Sequence, residues 1–340
     1  MNPLDQITGV IGKPLGAVSK ALNQPTAAAT RGLYGLGIAD ALRGANLENA
    51  VRDRIVLVTG ASSGIGATTA LRIGAAKGEV VLVARGAEKL EETAATVRKA
   101  GGTAHVYQCD LSDLEAIAEM TERVQADLGR VDILVNNAGR SIRRSLTLSY
   151  DRMHDYERTM QLNYFAPVQL MLKLLPGMRE RGFGHVVNVS SVGVQTRVPR
   201  FGAYIASKAA LDTLCDAWQA ETHADNVRFT TVHMALVRTP MIEATTIYDR
   251  FPTLSPDEAA DVLCRAIVSR PRRYSPPFGS VAAFADALSP EIMDRVRSRG
   301  FQLFQDSAAA KGDTGKKAKP DEPITSEGRL FAEVTRGVHW

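Results

Sequence analysis

From Arg54 onward, short apolar runs rich in β-branched residues alternate with longer stretches whose apolar positions recur at helical spacing. The short runs predict strands at Ile55 to Thr59, Glu79 to Ala84, Ala104 to Cys109, Val131 to Val135, His185 to Ser190 and Val227 to His233. Strands that alternate with helices in this way form βαβ units, whose right-handed crossovers build a parallel sheet covered on both faces. The expected fold class is therefore α/β, a doubly wound parallel sheet of the Rossmann kind. The stretch from Tyr150 to Gly182 is long for one helix and contains Pro167 and Pro176, so a break or bend is expected near each. Further on, Val281, Phe284, Leu288, Ile292, Val296, Phe301 and Phe304 recur at approximately helical spacing. The periodic region reads as one domain, residues 51–304, with an N-terminal extension (1–50) and a linker and tail (305–340).

Composition narrows the classes of function. At 340 residues with 45% apolar content, the chain can bury a sizeable core. Three cysteines, Cys109, Cys215 and Cys264, share no short spacing, which argues for free thiols in a reducing compartment and against a zinc site. The formal net charge of +4 comes from interspersed signs, so nothing demands nucleic acid, and the lysines at 311, 316, 317 and 319 read as part of a disordered linker. No apolar run approaches the roughly 18 residues of a membrane span, and the N-terminus does not have the form of a secretory signal. The expected location is cytoplasmic. Leu33 to Leu42 leaves two uses open, packing in a homo-oligomer and contact with a bilayer surface, and for the 281–304 stripe packing on the core stands beside dimer packing and peripheral membrane contact.

In a doubly wound sheet, ligands bind beyond the carboxyl ends of the strands. After the first strand comes Thr59-Gly60-Ala-Ser-Ser-Gly64-Ile-Gly66, whose glycines allow a tight turn and close approach to a pyrophosphate at a helix N-terminus; a purely structural turn would look similar. After the second strand stands Arg85 with no acidic neighbour, which favours the 2′-phosphate of NADP over the free ribose hydroxyl of NAD, although a surface arginine gives the same sequence. Asp110-Leu111 follows the third strand, placed to contact adenine, and the small residues of Asn136-Asn-Ala-Gly139 follow the fourth. Ser191 follows the fifth. Thirteen positions later, Tyr204-Ile-Ala-Ser-Lys208 puts a phenol and an ammonium on one helix face. An ammonium beside a phenol favours the ionised phenol and is expected to lower its pKa, so that Tyr204 can pass a proton near neutral pH. Alone, Tyr-x-x-x-Lys is also what a solvated helix face looks like.

The joint occurrence of Thr59-Gly60-x-x-x-Gly64-x-Gly66, Asn136-Asn-Ala-Gly139, Asn163, Ser191, Tyr204 and Lys208 resembles the short-chain dehydrogenase/reductase family across about residues 50–270. The resemblance implies that Tyr204 is the general acid in reduction, that Ser191 hydrogen-bonds the substrate oxygen, that Lys208 binds the nicotinamide ribose and tunes Tyr204, and that Asn163 holds a water. It implies cofactor contacts at Gly60, Ser62, Ser63, Gly64, Ile65, Gly66, Arg85, Asp110, Leu111, Asn136, Ala138, Gly139, Tyr204, Lys208, Val237 and Thr239, and no metal. One departure stands out. The family usually has Pro-Gly at the end of the sixth strand, whereas Ala235-Leu236 stands here, so a differently shaped loop is expected over the nicotinamide.

A narrower likeness extends through Asn136 to Ser145, Glu157 to Phe165, Leu236 to Ile242, Tyr248 with Pro252 to Pro256, and the ending His339-Trp340. These segments resemble bacterial fatty acyl-CoA reductases of wax-ester synthesis. That resemblance implies NADPH-dependent reduction of a long-chain acyl-CoA to an aldehyde, with release of the thiol from a hemithioacetal and no acyl-cysteine. Cys215, seven residues beyond Lys208, accordingly reads as core. Arg140, Arg143 and Arg144 are candidates for the phosphates of coenzyme A, against a solvated loop or a salt bridge. Residues 241–256 are expected to form a lid whose apolar side chains line an acyl channel. The alternatives are an NADPH-dependent ketone, 3-oxoacyl or sterol reductase, which the same Ser-Tyr-Lys group would serve, and a non-catalytic dinucleotide-sensing protein.

Overall fold

A computed structural model describes residues 46–242, 253–307, 310–312 and 325–334. Seven parallel strands form one sheet in the order β3-β2-β1-β4-β5-β6-β7. They are β1 (Ile55–Thr59), β2 (Glu79–Ala84), β3 (Thr103–Gln108), β4 (Ile133–Asn136), β5 (Gly184–Ser191), β6 (Val227–Met234) and β7 (Arg273–Tyr274). The six expected strands are thus present with ends moved by one or two residues. β7, only two residues long, gave no periodic signal to read.

The strands are apolar on both faces because helices cover both, which is why β1 and β5 are buried at every position. On one face, α2 (Gly64–Ala75) packs against α9 (Pro256–Ser269), with Val56, Val58, Leu82 and Val187 beneath them. On the other, α4 (Leu114–Leu128) packs against α6 (Ala166–Glu180), and α8 (Gly202–Thr222) lies beside β5 and β6 over Leu57, Leu134, Val186 and Phe229. Side chains such as Leu57, Leu134 and Phe229 are fully buried, each stabilising the fold by about 1.5–3 kcal/mol. A short helix, α1 (Leu47–Val51), precedes β1 and adds Val51 to the first of these cores. α3 (Ala87–Lys99) covers β2 and β3.

The proline expectation holds at one position and fails at the other. The helix α5 (Met153–Met160) passes through a π-helical turn at Gln161–Phe165 into α6, and Pro167 lies in the first turn of α6, where its missing N–H costs little. Pro176 interrupts nothing, and α6 continues through it to Glu180. The helix is held by the packing of Leu174, Leu175 and Met178 on the sheet, which outweighs one lost hydrogen bond.

The 281–304 stripe is two helices, α10 (Pro277–Leu288) and α11 (Pro290–Leu303), separated at Ser289. Its apolar residues divide between solvent and core: Val281, Phe284, Leu288, Ile292 and Phe301 are exposed, while Val296 and Phe304 join an apolar cluster with Val198, Phe201 and Leu236. The segment after α11 is tied down where a linker was expected. Gln305 and Asp306 accept hydrogen bonds from Arg143 and from the Ser145 amide, and Phe331 on α12 (Ser326–Val334) packs near Phe304. Residues 1–45, most of the expected lid including Ile247, Tyr248 and Phe251, and the ending His339-Trp340 lie outside the described residues.

Candidate active site

β1 and β4 are neighbours, but their following connections leave to opposite sides, and this switch point opens a crevice at the carboxyl edge of the sheet. The crevice has a volume of about 650 Å³. Each wall is a strand end. After β1, Gly60 takes φ of +66°, which a side-chain-bearing residue adopts only with strain. Gly66 serves a different purpose from contact with a ligand. A Cβ there would lie 2.3 Å from the Gly60 carbonyl oxygen, so its role is to let α2 start directly against the turn, and Gly66 does not line the crevice. Ser62, Ser63, Gly64 and Ile65 do line it, and no side chain caps the N-terminus of α2. An anion is the natural partner of such a terminus.

At the β2 edge, Arg85 lines the crevice as expected, and Lys89 from α3 stands with it. Lys89 was not singled out from sequence, where it is one of many helix-surface lysines. Asp110 and Leu111 line the same end, and Ser112 donates to Asp110 through both its amide and its hydroxyl, which holds the Asp110 carboxyl below its usual range. The β4 loop corrects one expectation. Asn136 is the last residue of the strand, is buried, and donates from Nδ2 to Asn188 Oδ1 at 2.8 Å, so it faces the core. Asn137 takes the crevice position and ties the loop to β1 through its Nδ2 and the Thr59 carbonyl at 2.9 Å. Ala138 and Gly139 line the crevice beside it.

Asn163 sits on the π turn, a geometry often found at functional sites. Its Oδ1 accepts from the Arg140 amide at 2.8 Å, and its Nδ2 donates to the Arg140 carbonyl at 2.8 Å and to Ser207 Oγ at 2.9 Å. The side chain is fully buried and engaged on both ends. Its side chain clamps the Gly139-Arg140 backbone.

Ser191 ends β5, and its Oγ accepts from the Gly193 amide at 3.0 Å, which leaves its own O–H to donate elsewhere. Tyr204 and Lys208 lie one turn apart on α8, and all three side chains line the crevice. The expected lowering of the phenol does not occur in this geometry. Burial pushes Tyr204 above the ordinary tyrosine value, a hydrogen bond with Ser191 opposes this, and Asp212 adds to it. Lys208 Nζ donates to the Val189 carbonyl at 2.8 Å, and burial draws its pKa down to about 8. Val237 and Thr239, beyond β6, complete the wall. The Ala235-Leu236 departure is accommodated without strain: Leu236 is not among the described residues with positive φ, and its carbonyl accepts from the Leu254 amide at 2.8 Å.

Apolar side chains flank the phenol. Val198, Phe201, Leu236 and Phe304 form a cluster against which Tyr204, Ile205, Ile242 and Phe331 are partly buried. Cys215 is fully buried, accepts from Asn188 Nδ2 at 3.1 Å, and has its thiol pushed up to about 12 by burial. Of the three arginines after β4, Arg144 pairs with Asp155 and Arg143 donates to the Gln305 carbonyl at 2.8 Å. Arg140 lines the crevice.

A phenol with a hydroxyl and an ammonium at one end of a cleft, and an uncapped helix start with two cations at the other, fit an oxidoreductase built on a dinucleotide-binding fold. The chain belongs to the short-chain dehydrogenase/reductase family: residues 54–247 match its short chain dehydrogenase model. A Mycobacterium tuberculosis protein named an uncharacterised oxidoreductase is 62% identical over 341 residues, 99% of each chain. A fatty acyl-CoA reductase of Acinetobacter baylyi is 47% identical over 290 residues, covering 85% of this chain and 96% of that one. Among solved structures, a metagenomic short-chain oxidoreductase in complex with NADP superposes with a TM-score of 0.56 at 32% identity, covering 64% of this chain and 92% of the other.

Proposed function

We propose that this chain is an NADPH-dependent reductase that converts a long-chain fatty acyl-CoA to the aldehyde. The observation that carries the reading is the pairing of two crevice ends: Arg85 and Lys89 at one, and Tyr204, Ser191 and Lys208 beside an apolar cluster at the other. The likeness to a reductase named for fatty acyl-CoA supports the substrate class.

The crevice fits the dinucleotide on its own chemistry. The turn at Gly60 and the uncapped start of α2 suit the pyrophosphate, Asp110 and Leu111 suit the adenine, and Arg85 with Lys89 suits a 2′-phosphate where an acidic residue would repel it. Thr239 and Val237 flank the nicotinamide end. When bound there, the reduced nicotinamide supplies the hydride.

The remaining chemistry belongs to the protein. Ser191 donates its O–H to the thioester carbonyl oxygen, and Tyr204 Oη donates beside it, so the charge that develops on that oxygen meets two oriented hydroxyls. Tyr204 then passes its proton to the oxygen, giving a hemithioacetal. The raised phenol suits this direction, because it remains protonated until the acceptor becomes strongly basic. Lys208 stabilises the phenolate left behind and fixes the ribose. The hemithioacetal returns its hydroxyl proton to the Tyr204 phenolate as the C–S bond breaks, and the thiolate that leaves with the aldehyde takes its proton from solvent. The apolar cluster around Phe201 and Phe304 holds the acyl chain and excludes water.

Homo-oligomerisation and peripheral contact with a bilayer belong to the same proposal, since α10 exposes Val281, Phe284 and Leu288 to 66%, 66% and 70%. Among the described residues no helix is long and apolar enough to cross a membrane. The test is incubation of the purified protein with NADPH and acyl-CoAs of graded length while free thiol and NADP⁺ are followed together. Equal appearance of both supports the reading. Oxidation of NADPH by ketones, with no thiol released from any acyl-CoA, would replace it with the ketone reductase alternative.

A further inference from the structure

Behind the crevice, α8 carries another acidic side chain to which the mechanism above gives no task. Asp212 lies one helical turn beyond Lys208. Its Oδ2 accepts from Ser190 Oγ at 2.9 Å and from His233 Nε2 at 3.1 Å. Those two donors come from facing positions of β5 and β6, where Ser190 is paired with His233. On the far side of the ring, His233 Nδ1 lies 2.7 Å from Ser275 Oγ. A carboxylate only accepts, so Nε2 carries a proton and donates it to Asp212. Asp212 Oδ1, by contrast, is buried without a hydrogen-bond partner.

Burying a carboxylate is costly unless a cation compensates it. Arg272 and Arg273, flanking the start of β7, are engaged by Asp216, while Cys215 on the same helix and Tyr204 two turns back are held protonated by burial. His233, the ion-pair partner of Asp212, is a cation only when protonated, and Lys208, one turn before Asp212, is the remaining cation.

We propose that Asp212, anchored by His233 and Ser190, is the positioning residue and buried counter-ion that keeps Lys208 an ammonium during turnover. The proposal rests on the reading of Lys208 as the partner of Tyr204. Its field acts against the burial that draws Lys208 down, which is the direction a counter-ion must have.

The test uses the full chain. Lysine labelled with ¹³C at Cε reports the protonation of Lys208 by NMR in the ligand-free protein, with the resonance assigned by its loss in Lys208→Arg. Asp212→Asn keeps the shape and removes the charge, Asp212→Ser is a second neutral replacement, and His233→Gln keeps a donor toward Asp212. In the folded Asp212 variants the Lys208 midpoint is expected to fall by on the order of one pH unit, and the alkaline limb of kcat/KM to move with it. His233→Gln is expected to titrate like the wild type. A Lys208 midpoint that does not move in either folded Asp212 variant overturns the proposal, as does an equal fall in His233→Gln. Because the titration needs neither substrate nor cofactor, failure of the protein to reduce any acyl-CoA would remove the functional reading and leave this result standing.

Discussion

Lys208 directs its ammonium at the carbonyl oxygen of Val189, 2.8 Å away, although the phenol of Tyr204 lies only one helical turn before it. The bond anchors α8 to β5 at the depth of the crevice, so the lysine is pre-positioned by the sheet itself.

This burial makes Lys208 a pH-dependent part of the fold. Its pKa falls from 10.5 to about 8, so between those values the unfolded chain binds more protons than the native one, and the native state gains stability as pH rises through that window. Below about 8 both states are protonated and the slope vanishes. The difference in unfolding free energy between wild type and Lys208→Met, measured in urea from pH 7 to 9.5, is expected to move in favour of the wild type above pH 8. A flat difference would mean that the ammonium is not desolvated.

Removing the phenolic oxygen isolates proton transfer from binding. Tyr204→Phe is expected to lower kcat by roughly 10²–10⁴-fold while NADPH binding, followed by fluorescence, changes little. Weakened NADPH binding of similar size would instead make Tyr204 chiefly a cofactor ligand.

Arg85 and Lys89 set the choice of dinucleotide. Arg85→Ala is expected to weaken NADPH by about 10–100-fold, the worth of a charged hydrogen bond, and to leave NADH nearly unchanged. Lys89→Ala is expected to act in the same direction. Calorimetric titration with each dinucleotide distinguishes these outcomes from a general loss of binding.

The three arginines after β4 separate by task. Arg140→Ala is expected to raise KM for acyl-CoA about 10-fold and to spare a free aldehyde, since coenzyme A carries the phosphates. Arg143 also lines the crevice, so Arg143→Ala, which removes the hydrogen bond to Gln305, is expected to lower the melting temperature and to raise KM for acyl-CoA as well.

Cys215→Ala is expected to retain turnover, because a thiol pushed up to about 12 inside the core is a poor nucleophile. Loss of its contact with Asn188 should cost about 1 kcal/mol in urea denaturation. Abolished turnover in a folded variant would require an acyl-enzyme and a different mechanism.

The alternation of apolar runs and helical stripes determined the sheet, its parallel sense and the loops that line the crevice, because these follow from which faces each segment must bury. The same local logic reached Gly60, Arg85, Ser191, Tyr204 and Lys208, which stand at strand ends or on one helix face. It could not place side chains whose partners lie far along the chain. Asn136 turned to the core because Asn188 waits on the next strand, and Pro176 is tolerated because packing on the sheet outweighs one lost bond. Asn163 became a clamp through Arg140 and Ser207, and Tyr204 kept a high pKa because burial outweighs its hydrogen bond with Ser191. Periodicity is set by neighbours three or four residues apart, whereas desolvation and charge depend on whatever the folded chain brings within a few ångströms, and only the tertiary structure decides that.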